Sequence, residues 1–163
     1  MSRYRLTRLA FWAAVALAAE LTLLESWSFQ GARAEALLSL ACFAALFAHD
    51  TRQGLLGAWM IGLFKDLGAA GPFGLHALLF LGAGWVVLQV RTVLFRDSPL
   101  TQLAVAFVAA CWVNAAAALF VCATAGGIPL GVIAGKTLLS ALLTAGLTPF
   151  VHFALANVRW MTR

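Results

Sequence analysis

Residues 98–135 read SPLTQLAVAFVAACWVNAAAALFVCATAGGIPLGVIAG and hold no charged side chain. One membrane span needs only about 20 apolar residues, so this stretch is too long for a single helix across a bilayer. Gly126-Gly127-Ile128-Pro129 divides it, as a Gly/Pro turn should. The stretch therefore predicts two consecutive spans, about 100–124 and 130–156, the second followed by Arg159 and Arg163.

Working outward gives four more spans. Residues 73–90 form a clean apolar run closed by Arg91, Arg96 and Asp97. Residues 54–70 begin apolar and then meet Lys65-Asp66. Residues 34–49 contain an apolar run of only 13, Ala36 to Ala48. At 1.5 Å per residue that run covers about 20 Å of a hydrocarbon core roughly 30 Å thick, so it borrows its edges or is re-entrant. The first run, 9–29, follows Arg3, Arg5 and Arg8 and is broken by Glu20 and Glu25. Its opening resembles a signal peptide, with Ala16-Leu17-Ala18 as a cleavage-type site. The run continues through Leu21, Leu23, Leu24 and Trp27, which suits a retained first span.

Composition agrees. Of the 163 residues, 63% are hydrophobic and 10% charged, with a mean hydropathy of +0.94. Soluble domains carry about 25% charged residues, so this chain cannot cover a water-facing surface. Backbone groups in lipid must be satisfied within the protein. A barrel would need alternating polar and apolar residues, which the Ala/Leu runs lack. The expected fold is all-α: one polytopic membrane domain, residues 1–163, with about six transmembrane helices.

Charge placement orients that domain. With the N-terminus in the cytoplasm, the inner segments hold Arg3, Arg5, Arg8, Arg52, Arg91, Arg96, Arg159 and Arg163, and the outer ones only Arg33. That is the positive-inside pattern, with both termini cytoplasmic. The net charge of +5 sits at the ends of apolar runs rather than in the basic stripe of a nucleic-acid binder, so no nucleic-acid partner is expected. Trp12, Trp27 and Trp160 fall near the proposed interfaces, whereas Trp59, Trp85 and Trp112 fall within spans.

Ionisable groups inside spans usually face the protein interior and pair. In this topology Glu20, Lys65 and Lys136 lie roughly 7–12 Å below the outer surface by the helical rise, with His76 close by. They form a candidate intramembrane polar cluster: a ligand or partner site, or a buried ion-pair network with snorkelling lysines. Asn114 reads as an interhelical hydrogen-bond partner, His152 as packed, and His49, Asp50 and Arg52 as a solvated turn. Gly131 and Gly135, like Ala58 and Gly62, have the small-xxx-small spacing that permits close helix packing. Cys42, Cys111 and Cys122 lie in apolar stretches and read as small buried hydrophobes, with no CxxC spacing and no metal site. The sequence lacks a GxxxxGK[ST] loop, HExxH, GxSxG, and any nucleophile–base pair of recognisable spacing. Neither catalysis nor a cofactor is expected.

Residues 54–77 carry a more specific pattern. After Gly54-Leu55-Leu56-Gly57 the chain runs Gly62-Leu63-x-x-Asp66, then a small-residue turn, then Gly71-Pro72-x-Gly74-x-x-Ala77. Physically, the glycines and Pro72 suit a tight helix–turn–helix, and Asp66, one turn above Gly62, can cap freed backbone donors or meet a cation. The pattern resembles the MreD family of bacterial rod-shape proteins, whose members show G-x-x-x-G-L-x-x-D followed by P-x-G-x-x-A. Gly62, Leu63, Asp66, Gly71, Pro72, Gly74 and Ala77 match, and size and layout match along the chain. Two features depart: Glu35 without a preceding proline stands where members often show Pro-Asp-Leu, and Lys65 beside Asp66 is unexpected. The resemblance implies a non-catalytic scaffold of the cell-wall elongation complex in the bacterial cytoplasmic membrane. It would bind MreC, work with MreB, RodA and a class B penicillin-binding protein, and support peptidoglycan synthesis. It also implies a fold similar to the substrate-binding subunits of energy-coupling-factor transporters. A small-molecule-binding subunit of that kind is the alternative function. The segment from Gly54 to Gly62 and that from Gly131 to Gly135 are the expected docking faces.

Overall fold

The computed structural model describes residues 6–24, 32–48, 50–69, 71–91, 98–125 and 130–157. Among these the chain is helical without a strand. The helices are α1 (Leu6–Ala19), α2 (Ala36–Leu46), α3 (Thr51–Gly68), α4 (Leu75–Val90), α5 (Pro99–Ala125) and α6 (Leu130–Asn157), with a π-helical turn, Glu20–Leu24, extending α1. One helix therefore occupies each expected span. Part of the first run beyond Leu24, the Gly126–Pro129 break, His49, Arg96, Asp97, Arg159, Trp160 and Arg163 lie outside the described residues.

Helix boundaries follow local chemistry. Pro99 opens α5 at a position where its missing N–H would have no helical partner. α4 begins at Leu75, not at 73, because Gly74 adopts the left-handed φ of 98° that ends the turn. α3 runs on through Lys65 and Asp66, because both charges find partners, as shown below. Within α5 and α6, residues Leu100–Thr124 and Ala134–Leu155 are long and apolar enough to cross a membrane, while α2 and α4 are shorter apolar helices.

α2 is the axis of the bundle. Every residue from Leu37 to Leu46 is buried, as expected of a helix that is hydrophobic all round. α1, α3, α4, α5 and α6 pack around it. Successive neighbours in that ring touch: α1 with α3, α3 with α4, α4 with α5, and α5 with α6. No comparable packing joins α1 to α6 among the described residues, so the ring is open there. The outward faces are apolar: Leu78, Leu119, Phe150 and Phe153 are each more than 60% exposed. Apolar surface on this scale marks contact with lipid or another protein.

Eleven residues of helix make α2 only about 16 Å long. Its terminal peptide groups lie among other helices and need partners. Neighbouring helices provide them at both ends. At the N-terminus, Glu20 Oε1 accepts the Leu37 N–H at 2.8 Å, and Thr144 Oγ1 accepts the Glu35 N–H at 3.0 Å. At the C-terminus, the Arg91 guanidinium donates to the carbonyls of Ala45 at 3.3 Å and Ala48 at 3.0 Å. An acid at the amino end and a base at the carboxyl end also suit the helix dipole.

Candidate functional site

The α3–α4 hairpin is built around one carboxylate. Asp66, buried on α3, accepts the backbone N–H groups of Gly74 at 3.0 Å, His76 at 3.0 Å and Ala77 at 3.1 Å. Its Oδ1 also accepts a hydrogen bond from His76 Nδ1 at 2.9 Å. These N–H groups belong to the first turn of α4, which has no side-chain cap of its own. Asp66 thus caps the next helix from the end of the preceding one.

Small residues let the two helices approach closely enough for this. A Cβ on Gly62 would lie 2.6 Å from both Ala77 Cα and His76 O. One on Gly84 would lie 2.7 Å from Ala58 Cβ, and one on Gly54 would meet Ala48 and Leu88 at 3.1 and 3.2 Å. The stripe Gly54, Ala58 and Gly62 is therefore spent inside the molecule, mainly against α4. This corrects the expectation that it is a docking face. Gly71 has no atom within 4 Å of an added Cβ.

The other polar groups gather around a cleft of about 610 Å³. It lies at the end of the bundle where α1, α3 and α5 finish and α2 and α6 begin. Glu20, Lys65, Arg33, Glu35, Asn114 and Lys136 are among its lining residues, with Leu17, Leu21, Val121 and Val132 as apolar rim. Lys65 Nζ donates to Glu20 Oε2 at 2.8 Å, so Glu20 binds α3 through one oxygen and α2 through the other. Lys136 is exposed and makes no such bond among the described residues. The expected cluster is thus divided: Glu20 and Lys65 pair, His76 turns to Asp66, and Lys136 stands on the opposite wall. Gly131 and Gly135, five residues and one residue before Lys136 on α6, are exposed, with nothing among the described residues within 4 Å of an added Cβ.

From the cleft a polar seam runs down α6 against α2. Asn114 Nδ2 donates to Ser140 Oγ at 3.4 Å, and Ser140 Oγ donates to Arg33 O at 2.7 Å. Deeper, Ser39 and Thr148 hydroxyls meet at 2.6 Å, and Thr148 also donates to Thr144 O at 2.7 Å. The buried ring of His152 reaches Ser39 O through Nε2 at 3.1 Å and packs edge-on against Phe43 and Phe47. The Ser140–Arg33, Ser39–Thr148 and His152–Ser39 links join residues more than 100 positions apart, so nothing local in the sequence signals them. Asn114 was readable as an interhelical partner, and His152 as a packed side chain. Arg33, Glu35 and Ser140 were not singled out as cleft residues, nor Thr144 as the partner of the Glu35 N–H.

The groups of the site are an ion pair, amide and hydroxyl donors, and apolar walls. Cys42 is buried, and Cys111 and Cys122 half-buried, all as free thiols. No group of three or more metal-ligating side chains occurs among the described residues.

A family model described as rod shape-determining protein MreD matches residues 3–157. No curated protein and no solved structure matches the chain.

Proposed function

The chain belongs to the MreD family of rod shape-determining membrane proteins, and from that membership we propose that it is a non-catalytic scaffold of the cell-wall elongation complex. It binds MreC in the bacterial cytoplasmic membrane and, through it, works with MreB, RodA and a class B penicillin-binding protein in sidewall peptidoglycan synthesis. The observation that carries this reading is the family match along almost the whole chain. The Gly62–Ala77 hairpin supports it, since Gly62, Asp66 and Ala77 among its matching residues set helix approach and capping. Six helices cross the membrane with both termini cytoplasmic, the orientation in which eight basic residues lie inside and one outside. The cleft then opens toward the outer face.

With the Gly54–Gly62 stripe consumed internally, the open face around Gly131 and Gly135 on α6 is the better docking surface for a partner's transmembrane helix. The test is co-purification of MreC from the same organism in mild detergent. Wild type should retain MreC, and Gly135→Leu should lower retention about tenfold, the effect of losing roughly 1.4 kcal/mol of contact, while remaining folded. Equal retention by both would remove α6 from the interface.

The cleft gives the second reading its footing. Its volume lies within the roughly 300–1,000 Å³ typical of small-molecule sites, as expected if the chain resembles the substrate-binding subunits of energy-coupling-factor transporters. A chain that never retains MreC, yet binds a vitamin-sized ligand or an ATPase module, would be that kind of subunit.

A further inference from the structure

Each wall of the cleft presents an ionisable side chain that makes no side-chain hydrogen bond or ion pair among the described residues. On the α2 side, the Glu35 carboxylate accepts no hydrogen bond among the described residues, and its Oε2 is buried. Its backbone N–H is occupied by Thr144, and Lys65, whose charge acts on Glu35, makes its side-chain hydrogen bond to Glu20 instead. On the α6 side, Lys136 has an exposed ammonium with no ion-pair partner among the described residues. A buried carboxylate oxygen without a donor is costly, and an exposed lysine near a helix end is free to meet an anionic group. A purely anionic ligand would satisfy Lys136 and oppose Glu35; a purely cationic one would do the reverse. A ligand carrying both signs meets both walls.

The shape of the cleft adds an apolar requirement. Among the described residues the ring of helices is open between α1 and α6, and at that side Leu21, Val121 and Val132 are 50%, 44% and 50% exposed. A ligand seated in the cleft therefore has an apolar exit into the surrounding membrane. We propose that the cleft binds a zwitterionic amphiphile, with a primary ammonium at Glu35, a phosphate at Lys136, and hydrocarbon chains leaving between α1 and α6. An aminophospholipid has this chemistry, and soluble phosphoethanolamine has the same head without the chains. The inference goes beyond the scaffold reading and stands whether or not MreC binds.

The test is lipid retention by the purified protein in nanodiscs of equal phosphatidylethanolamine and phosphatidylglycerol, read by mass spectrometry of the released complex. Wild type should retain phosphatidylethanolamine over phosphatidylglycerol by about tenfold, the effect of one charge-assisted hydrogen bond. Glu35→Gln should erase that preference without lowering phosphatidylglycerol retention. Lys136→Gln, on an exposed side chain, should lower retention of both lipids and leave the preference intact. Competition with soluble phosphoethanolamine separates the sources: displacement at concentrations matching the lipid's identifies a soluble zwitterion, and persistence of the lipid identifies the membrane as the source. Equal retention of the two lipids by wild type, an unchanged preference in Glu35→Gln, or unchanged retention in Lys136→Gln would each overturn the proposal.

Discussion

Asp66→Ala should leave little folded protein in the membrane. The variant removes the acceptor for three backbone N–H groups at the start of α4 and for the His76 ring. Each buried donor left without a partner costs about 1–3 kcal/mol. Three lost together should cost roughly 3 kcal/mol or more, a large share of a domain's total of about 5–15 kcal/mol. Asp66→Asn keeps one carbonyl oxygen but turns an amide N–H₂ toward other donors, so it should lose about half as much. The measurement is the denaturant midpoint in detergent, followed by the reactivity of buried Cys42 with Cys111 and Cys122 replaced by serine. α2 carries Cys42 and packs on both α3 and α4, so failure of the hairpin should expose the thiol. An alanine variant as stable as wild type would show that Asp66 does not hold α4.

Gly62→Leu should be as damaging, for a steric reason. The atoms a Cβ would strike are backbone atoms of Ala77 and His76, which cannot swing aside as a flexible side chain can. Even Gly62→Ala should cost about 2 kcal/mol, in the range of overpacked cores. Gly71→Ala, with open space around it, should be close to neutral. Gly74→Ala should fall between them, since its φ of 98° strains any residue with a Cβ by about 1–2 kcal/mol. The same denaturation series orders the four variants. An order in which Gly71 matters more than Gly62 would contradict the close α3–α4 packing.

These two residues also show what could be read without coordinates. The Gly62…Asp66…Pro72…Gly74 spacing was visible as a helix–turn–helix, and capping by Asp66 was one of its two physical readings. Which helix Gly62 faces was not visible, because small-xxx-small spacing marks a surface suited to close approach without naming what approaches. The stripe therefore looked like a docking face and proved to be the hairpin's inner seam. The shortness of α2 was legible in its 13-residue run. Its two helix-end partners, Glu20 and Arg91, were not, because their roles depend on a peptide group meeting a side chain from another helix. Glu20, Lys65 and Lys136 were placed at one depth by the helical rise. Depth fixes height along the bundle but not azimuth, which is why Lys136 could not be separated from the Glu20–Lys65 pair. The π-helical turn at Glu20–Leu24 has no local mark in the sequence such as proline or a glycine pair.

The proposed scaffold has six helices crossing the membrane with the cleft facing outward. Cysteine labelling of intact and permeabilised cells tests this most directly. In a chain with Cys42, Cys111 and Cys122 replaced, Arg33→Cys and Lys136→Cys line the cleft end, and Arg52→Cys lies at the opposite end, at the start of α3. A membrane-impermeant maleimide should label the first two in intact spheroplasts and Arg52→Cys only after permeabilisation. Labelling of Arg52→Cys in intact spheroplasts, or of Lys136→Cys only after permeabilisation, would contradict the topology and with it the placement of the cleft.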